Sequence, residues 1–177
     1  MVSFAIPQGS TSYCKDNLFS SVLLPKLVVI GLVNGAGYTG TVKHRSLCFQ
    51  SHHVTGVDLL RNGQCIPYRT GYHCDFSEST YTDVYVRSIL QNLNVLNTNN
   101  NCGITLHDFN DESCLFVFNL TPDFDLRERQ TIKDSNLRLD LTFKKALTES
   151  INVVAYAAYD ATLQITKNGE IIRDGFA

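Results

Sequence analysis

Leu137, Leu139, Leu141 and Phe143 alternate with Arg138, Asp140 and Thr142. A period of two predicts a strand with one buried face and one wet face. Ile151, Val153, Ala155, Ala157 and Tyr159 repeat the pattern, but their opposite face (Asn152, Val154, Tyr156, Ala158) is also largely apolar, which predicts a strand covered on both sides. Further short β-branched or aromatic segments occur at Lys26–Val33, Arg45–Phe49, Val54–Leu60, Cys65–Tyr68, Cys114–Leu120, Ala161–Thr166 and Glu170–Ile172. Asn62-Gly63 and Asn168-Gly169 stand between neighbouring segments. Asn-Gly accepts the positive φ of a type I′ turn, so both pairs predict hairpins. Tyr81, Val84, Tyr85, Ile89 and Leu93 recur at three- and four-residue steps, which predicts one helix over about 79–93, with Ser77 or Ser79 as its cap. A shorter turn is expected at Asp125–Gln130, and the Asn-rich stretch Asn92–Asn101 reads as a loop. About eight short strands with one inserted helix predict an all-β sandwich or barrel.

Composition narrows the function classes. The chain has 177 residues and a formal net charge of −2. That length fits a single domain, 1–177, able to bury roughly 70% of its unfolded surface without a metal or disulfide. A slightly acidic chain is a poor match for nucleic acid, whose phosphates call for a basic face. No apolar run reaches the roughly eighteen residues of a membrane span. The opening MVSFAIPQGS lacks the charged and apolar regions of a secretion signal. The six cysteines form no C-x-x-C, and several sit among apolar residues, as in Leu47-Cys48-Phe49 and Cys114-Leu115-Phe116. They read as reduced core thiols in an intracellular, unsecreted protein.

Four features suggest chemistry, and each has a plainer structural reading. Gly35, Gly37 and Gly40 follow an apolar run with G-x-G-x-x-G spacing, and Asp58 comes about twenty residues later. These are the letters of a dinucleotide fingerprint, and a nucleotide-binding enzyme is the remote alternative. The fingerprint needs its last glycine to open a helix in a parallel sheet, whereas Val42, Leu47 and Phe49 give no helical stripe after Gly40. A glycine-rich connection is expected instead. His52-His53 beside Cys48, and His73-Cys74, match no structural zinc spacing. No G-x-S-x-G elbow marks a hydrolase. Asn119-Leu120-Thr121 has the form of a glycosylation site, but Pro122 follows at once, and a strand exit with a turn at Thr121-Pro122-Asp123 is expected. No cofactor, metal or catalytic residue is assigned, and the protein is expected not to be an enzyme.

The passages SYCKDNLFSSVLLPKLVVIGLV, TGVDLLRNGQCIPYR, CLFVFNLTPDFD and NLRLDLTFKKALTESINVVAYAAYDATLQITKNGEIIRD resemble, in order, the C-terminal half of the major capsid protein of Polinton/Maverick elements and adintoviruses. The motif Phe118, Asn119, Leu120, Thr121, Pro122, Asp123 is among the most specific parts; the family more often has Asp at the position of Asn119. The resemblance implies a jelly roll, an eight-stranded Greek-key sandwich of two antiparallel sheets. It implies a structural role in the virion: three double jelly-roll copies form a capsomer, capsomers tile a shell, and the partners are copies of the chain and other capsid proteins. Membrane and specific nucleic acid are not implied partners. By analogy the interaction surface falls on the inserted helix and on the loops Gly35–Gly40 and Asn94–Cys102, with Tyr81, Tyr85, Arg87, Gly35, Gly37 and Tyr38 as contact residues. The family's protein carries two jelly rolls, and the chain corresponds to the second. It is either a fragment or a single-jelly-roll descendant retained in a host genome, where it would serve as a binding module that meets or interferes with capsid assembly.

Overall fold

A computed structural model describes residues 1–19, 24–41, 45, 48–66, 70–78, 80–93, 102–121 and 136–159, and the backbone of 162–165 and 171–174. Its strands are β1 (Val2–Ile6), β2 (Ser12–Lys15), β3 (Leu27–Asn34), β4 (Val54–Arg61), β5 (Gln64–Cys65), β6 (Tyr72–His73), β7 (Leu115–Asn119), β8 (Leu137–Phe143), β9 (Ile151–Ala158), β10 (Thr162–Ile165) and β11 (Ile171–Asp174). Helical turns are α1 (Gly35–Thr39), α2 (Thr82–Tyr85), a π-helical turn at Val86–Gln91, and α3 (Leu106–Asp111).

The strands pair like a long hairpin rolled onto itself. β1 pairs with β9, β2 with β8, β3 with β7 and β4 with β5, all antiparallel. Pairings β3–β9 and β4–β8 join these ribbons into two sheets, ordered β1-β9-β3-β7 and β2-β8-β4-β5. β6 also pairs with β4, Val57 facing Tyr72 while Leu60 faces Cys65, so β5 and β6 are two pieces of one interrupted strand. With those pieces merged, the strands up to β9 give sheet orders 1-8-3-6 and 2-7-4-5. That is an eight-stranded jelly roll with its two Greek keys. β10 and β11 add a hairpin after it.

The core lies between the sheets and follows the period-two pattern. Leu137, Leu139, Leu141 and Phe143 of β8 are buried while Arg138 and Thr142 are exposed. They meet Val57 and Leu59 of β4, Val28, Ile30 and Leu32 of β3, Phe116 and Phe118 of β7, and Ile151, Val153 and Ala155 of β9. The outer face of β9 is covered at one end only: Val154 is 9% exposed but Tyr156 is 50% exposed. Phe49 packs at that end, against Gly31 of β3, which pairs with Val154. A Cβ on Gly31 would stand 2.3 Å from the Phe49 ring. Gly31→Val is therefore expected to displace Phe49 and lower stability by about 1–3 kcal/mol, the usual cost of overpacking, read from the urea unfolding midpoint.

Several predicted elements need correction. In the predicted segment Arg45–Phe49, residues 46–47 lie outside the described set, and among the described residues Phe49 makes isolated bridges to Val33 and Ser113. The predicted strand Cys65–Tyr68 is Gln64–Cys65, with residues 67–69 outside the described set. β1, β2 and β6 were not predicted; β1 does alternate, its Val2, Phe4 and Ile6 less exposed than Ser3 and Ala5. The inserted helix is a short α-helix that widens into a π turn. Its first residue is preceded by Tyr81 with no side-chain cap. Ser77 instead donates its N–H to Asp75 Oδ1 at 2.8 Å, and Ser79 is outside the described residues. The Asn62-Gly63 turn is present, with φ of 49° and 80°. Asn168 and Gly169 lie outside the described residues, between the paired strands β10 and β11. Residues 94–101 and 125–130, with Pro122 and Asp123, are also outside the described set.

Candidate functional site

Four connections converge at one end of the sandwich. The β1–β2 turn joins the β8–β9 loop through Gly9 N–H to Leu147 C=O (2.8 Å) and Leu147 N–H to Ser10 C=O (3.0 Å). The β3–β4 connection joins the same loop through Gly35 N–H to Ser150 C=O (3.0 Å), and joins the end of α3 through Phe49 N–H to Glu112 C=O (2.9 Å). A cleft of about 730 Å³ opens among them, with His52, His53, Asp111, Glu112, Lys145 and Glu149 on its walls. Lys144 binds Asp75 across to the start of the β6–β7 connection. That hydrogen bond, with help from Ser77, holds the Asp75 carboxyl down to about 2.

His52 and His53 are in a turn before β4 and not on a strand. Both have positive φ, 46° and 56°, and Val54 N–H closes the turn on Ser51 C=O at 2.9 Å. Both central residues are left-handed, as in a type I′ turn, without the usual glycine. The exposed His53 carries strain with little packing to lose. His53→Gly is expected to raise stability by roughly 1 kcal/mol: about 1–2 kcal/mol of αL strain is relieved, against about 0.4–1 for a looser unfolded chain. Thermal melting checks it.

The glycine stretch is a one-turn helix, correcting the expected loop. Asn34 Oδ1 accepts the N–H of Ala36 at 2.8 Å and of Gly37 at 3.4 Å, which starts α1. Gly40 ends it with φ 82°. Gly35 sits where a Cβ would meet the Ser150 carbonyl oxygen at 2.8 Å. The nucleotide fingerprint lacks its setting: β3 is antiparallel to both neighbours, the helix begins before the last glycine, and it is only 5 residues long. Asp58 lies on β4, its carboxylate 3.8 Å from His73 Nε2. Among the described residues, no group of three or more His, Cys, Asp or Glu is placed to hold a metal. All six cysteines are free; Cys74 and Cys114 are core thiols, while Cys14 is exposed and Cys48, Cys65 and Cys102 are half-buried. Burial pushes the Cys74 thiol up to about 12, which makes it inert.

The six predicted contact residues divide into two groups. Gly35, Gly37 and Tyr38 are at the loop end; Tyr38 is 41% exposed and its hydroxyl meets Ser3 Oγ at 2.7 Å. Tyr81, Tyr85 and Arg87 are half-buried within the β6–β7 connection. Tyr81 stacks on Phe76 at 5.1 Å, and Tyr85 donates its hydroxyl to Ile104 C=O at 2.9 Å. Arg87 pairs with Asp83 and covers the Tyr72 ring.

The motif at Phe118–Thr121 is part of a buried polar network. Asn119 Oδ1 accepts from Thr121 N–H (3.1 Å) and from the Thr121 hydroxyl (2.6 Å), and its amide donates to Asn92 C=O at 3.0 Å. Asn119 is fully buried, which closes this glycosylation triplet to modification in the folded chain. Ser88 donates its hydroxyl to Leu115 C=O (2.9 Å) and accepts Val117 N–H (2.8 Å). Asn92 donates to Val117 C=O and to the Tyr72 hydroxyl. The π turn thus occupies the edge of β7 as a neighbouring strand would. Sequence reasoning missed Tyr72, Ser88 and Asn92. The available signal was Ser88 beside Ile89 on the apolar face of the predicted helix.

No family model matches the chain. An uncharacterized protein of Caenorhabditis elegans is 29% identical over 164 residues, a match covering 89% of this chain and 38% of the nematode protein. Among solved structures, a chain of the Sputnik virophage, determined by cryo-EM, superposes on 98% of this chain with a TM-score of 0.51 and 16% identity, covering 37% of the virophage chain. The chain therefore spans well under half the length of each protein it matches. At this identity the shared property is the fold: a jelly-roll sandwich like one present in the virophage.

Among the described residues, no helix is long and apolar enough to cross a membrane.

Proposed function

We propose that the chain is a structural, capsid-like building block: one jelly-roll unit, corresponding to the C-terminal half of a double jelly-roll major capsid protein of the Polinton/Maverick and adintovirus type. One observation carries the reading: the chain has the sheet orders of a complete jelly roll, and 98% of it superposes on a chain of the Sputnik virophage with a TM-score of 0.51. The fraction of that virophage chain covered, 37%, leaves room there for a second unit of this size. Function would come from burying sheet edges and loop ends against copies of the chain and other capsid proteins, within a virion, with no chemical step. The test is light scattering and electron microscopy of the chain, alone and joined to the preceding part of a longer relative. Trimers or shell-like particles support the reading. A strict monomer at high concentration in both forms overturns it.

The nematode match favours a second reading, because it places a related sequence in an animal genome. A single jelly roll kept by a host would act as a binding module toward capsid proteins. Pull-down of a defined capsid partner without self-assembly selects this alternative.

A further inference from the structure

We propose that the turn Ser51–Val54 is an acid-operated latch on the loop end: protonation of His52 drives its ring out of its pocket toward Glu149 and loosens the β8–β9 loop. The proposal does not depend on the functional reading above. It starts from an orphaned atom. His52 Nε2 is out of reach of solvent and, among the described residues, has no hydrogen-bond partner. A neutral imidazole tolerates this; an imidazolium there would bury a donor with nothing to receive its proton. The backbone around the ring is already strained, with left-handed φ at both His52 and His53.

The turn is mechanically tied to the loop that holds its counter-charge. His53 C=O accepts Lys144 N–H at 2.9 Å. The loop after Lys144 carries Glu149, which acts on His52 across the cleft. Lys145 lies on the same loop. From α3 come Asp111, next to His107 at 3.5 Å, and Glu112, paired with Arg45. Cys48 precedes the turn, its thiol raised by burial and then by Glu112. The cleft gives the ring room to swing.

The sign follows from burial, which lowers the His52 titration first; Glu149 opposes this and His53 adds to it. The unfolded imidazole titrates at about 6.5. The closed turn is therefore at full stability above that pH. It weakens as pH falls below about 6.5, until the lowered folded-state value is passed. Leu147 and Ser150 anchor the β1–β2 turn and α1 to the same loop, so opening reaches three of the four connections.

The test is a wild-type NMR titration from about pH 7.5 to 5, following the His52 ring and amide exchange together. After correction for intrinsic rates, the amides of Val54, Lys144, Leu147 and Gly35 are expected to lose about tenfold in protection relative to Leu139 and Leu141. His52→Asn suits left-handed φ and does not titrate, so it should abolish the response. Flat protection across the His52 titration overturns the latch, as does the same response in His52→Asn. If that variant fails to fold, the wild-type titration decides alone, because ring and amides must move with one midpoint.

Discussion

Phe109→Ala is expected to cost about 3–5 kcal/mol, the range for emptying a buried aromatic site. It should also detach most of the connection between β6 and β7. Phe109 is fully buried on α3 and is the hub of an aromatic chain. Its ring centre lies 6.1 Å from Phe76, 5.6 Å from Tyr85 and 6.2 Å from Phe116. Phe116 continues to Tyr72 at 6.2 Å, and Tyr72 to Phe118 at 4.8 Å. One ring therefore links both helical pieces of the connection to side chains from both sheets. Urea unfolding at low temperature gives the energy, and hydrogen exchange gives the location. Amides of 82–93 should lose protection while those of β8 keep it. A loss below about 1 kcal/mol would mean that the connection is held by something other than this ring.

Ser88→Ala is expected to cost about 2–4 kcal/mol, although it removes a single oxygen. The hydroxyl serves Leu115 C=O and Val117 N–H together. Each buried group left without its partner costs about 1–3 kcal/mol. Ser88→Thr keeps the oxygen and should recover most of the loss. The alanine variant should also aggregate in light scattering, because the π turn no longer seals the edge of β7. A Ser88→Ala protein as stable as the wild type and with the same light-scattering profile would show that packing of Ile89, and not the hydroxyl, secures the turn.

These two residues mark the boundary of what the sequence discloses. Strand β8 is legible because its alternating segment fixes both the strand and its inner face, while β3 and β9 are legible as strands from long apolar, β-branched runs that leave the inner face open. Asn62-Gly63 is legible because left-handed backbone demands such residues. The jelly-roll order is not a local property: Val2 faces Ala155 and Ser12 faces Thr142 across nearly the whole chain. That topology came into the reading by resemblance. A π turn and an α-helix leave the same apolar stripe, so Tyr81 to Leu93 suggests a helix but not its widening. Helix α3 did announce itself through Thr105 and Asp108, whose side chains and backbones cap each other at 3.2 and 3.0 Å; the Asn-rich run just before hid it. The cleft was invisible, since Gln50, Asn110 and Lys145 come to line one space only after both sheets have closed.

Sealing one flank of a sheet changes how many molecules can be joined. In the sheet β1-β9-β3-β7, the π turn occupies the β7 side, and among the described residues β1 pairs with β9 alone. Such a sheet is monovalent for strand addition. Two copies meeting along β1 consume each other's docking capacity and stop, whereas a sheet open on both sides propagates into a fibre. Strand addition to this sheet is thus limited to its β1 side by the same serine and the turn that carries it.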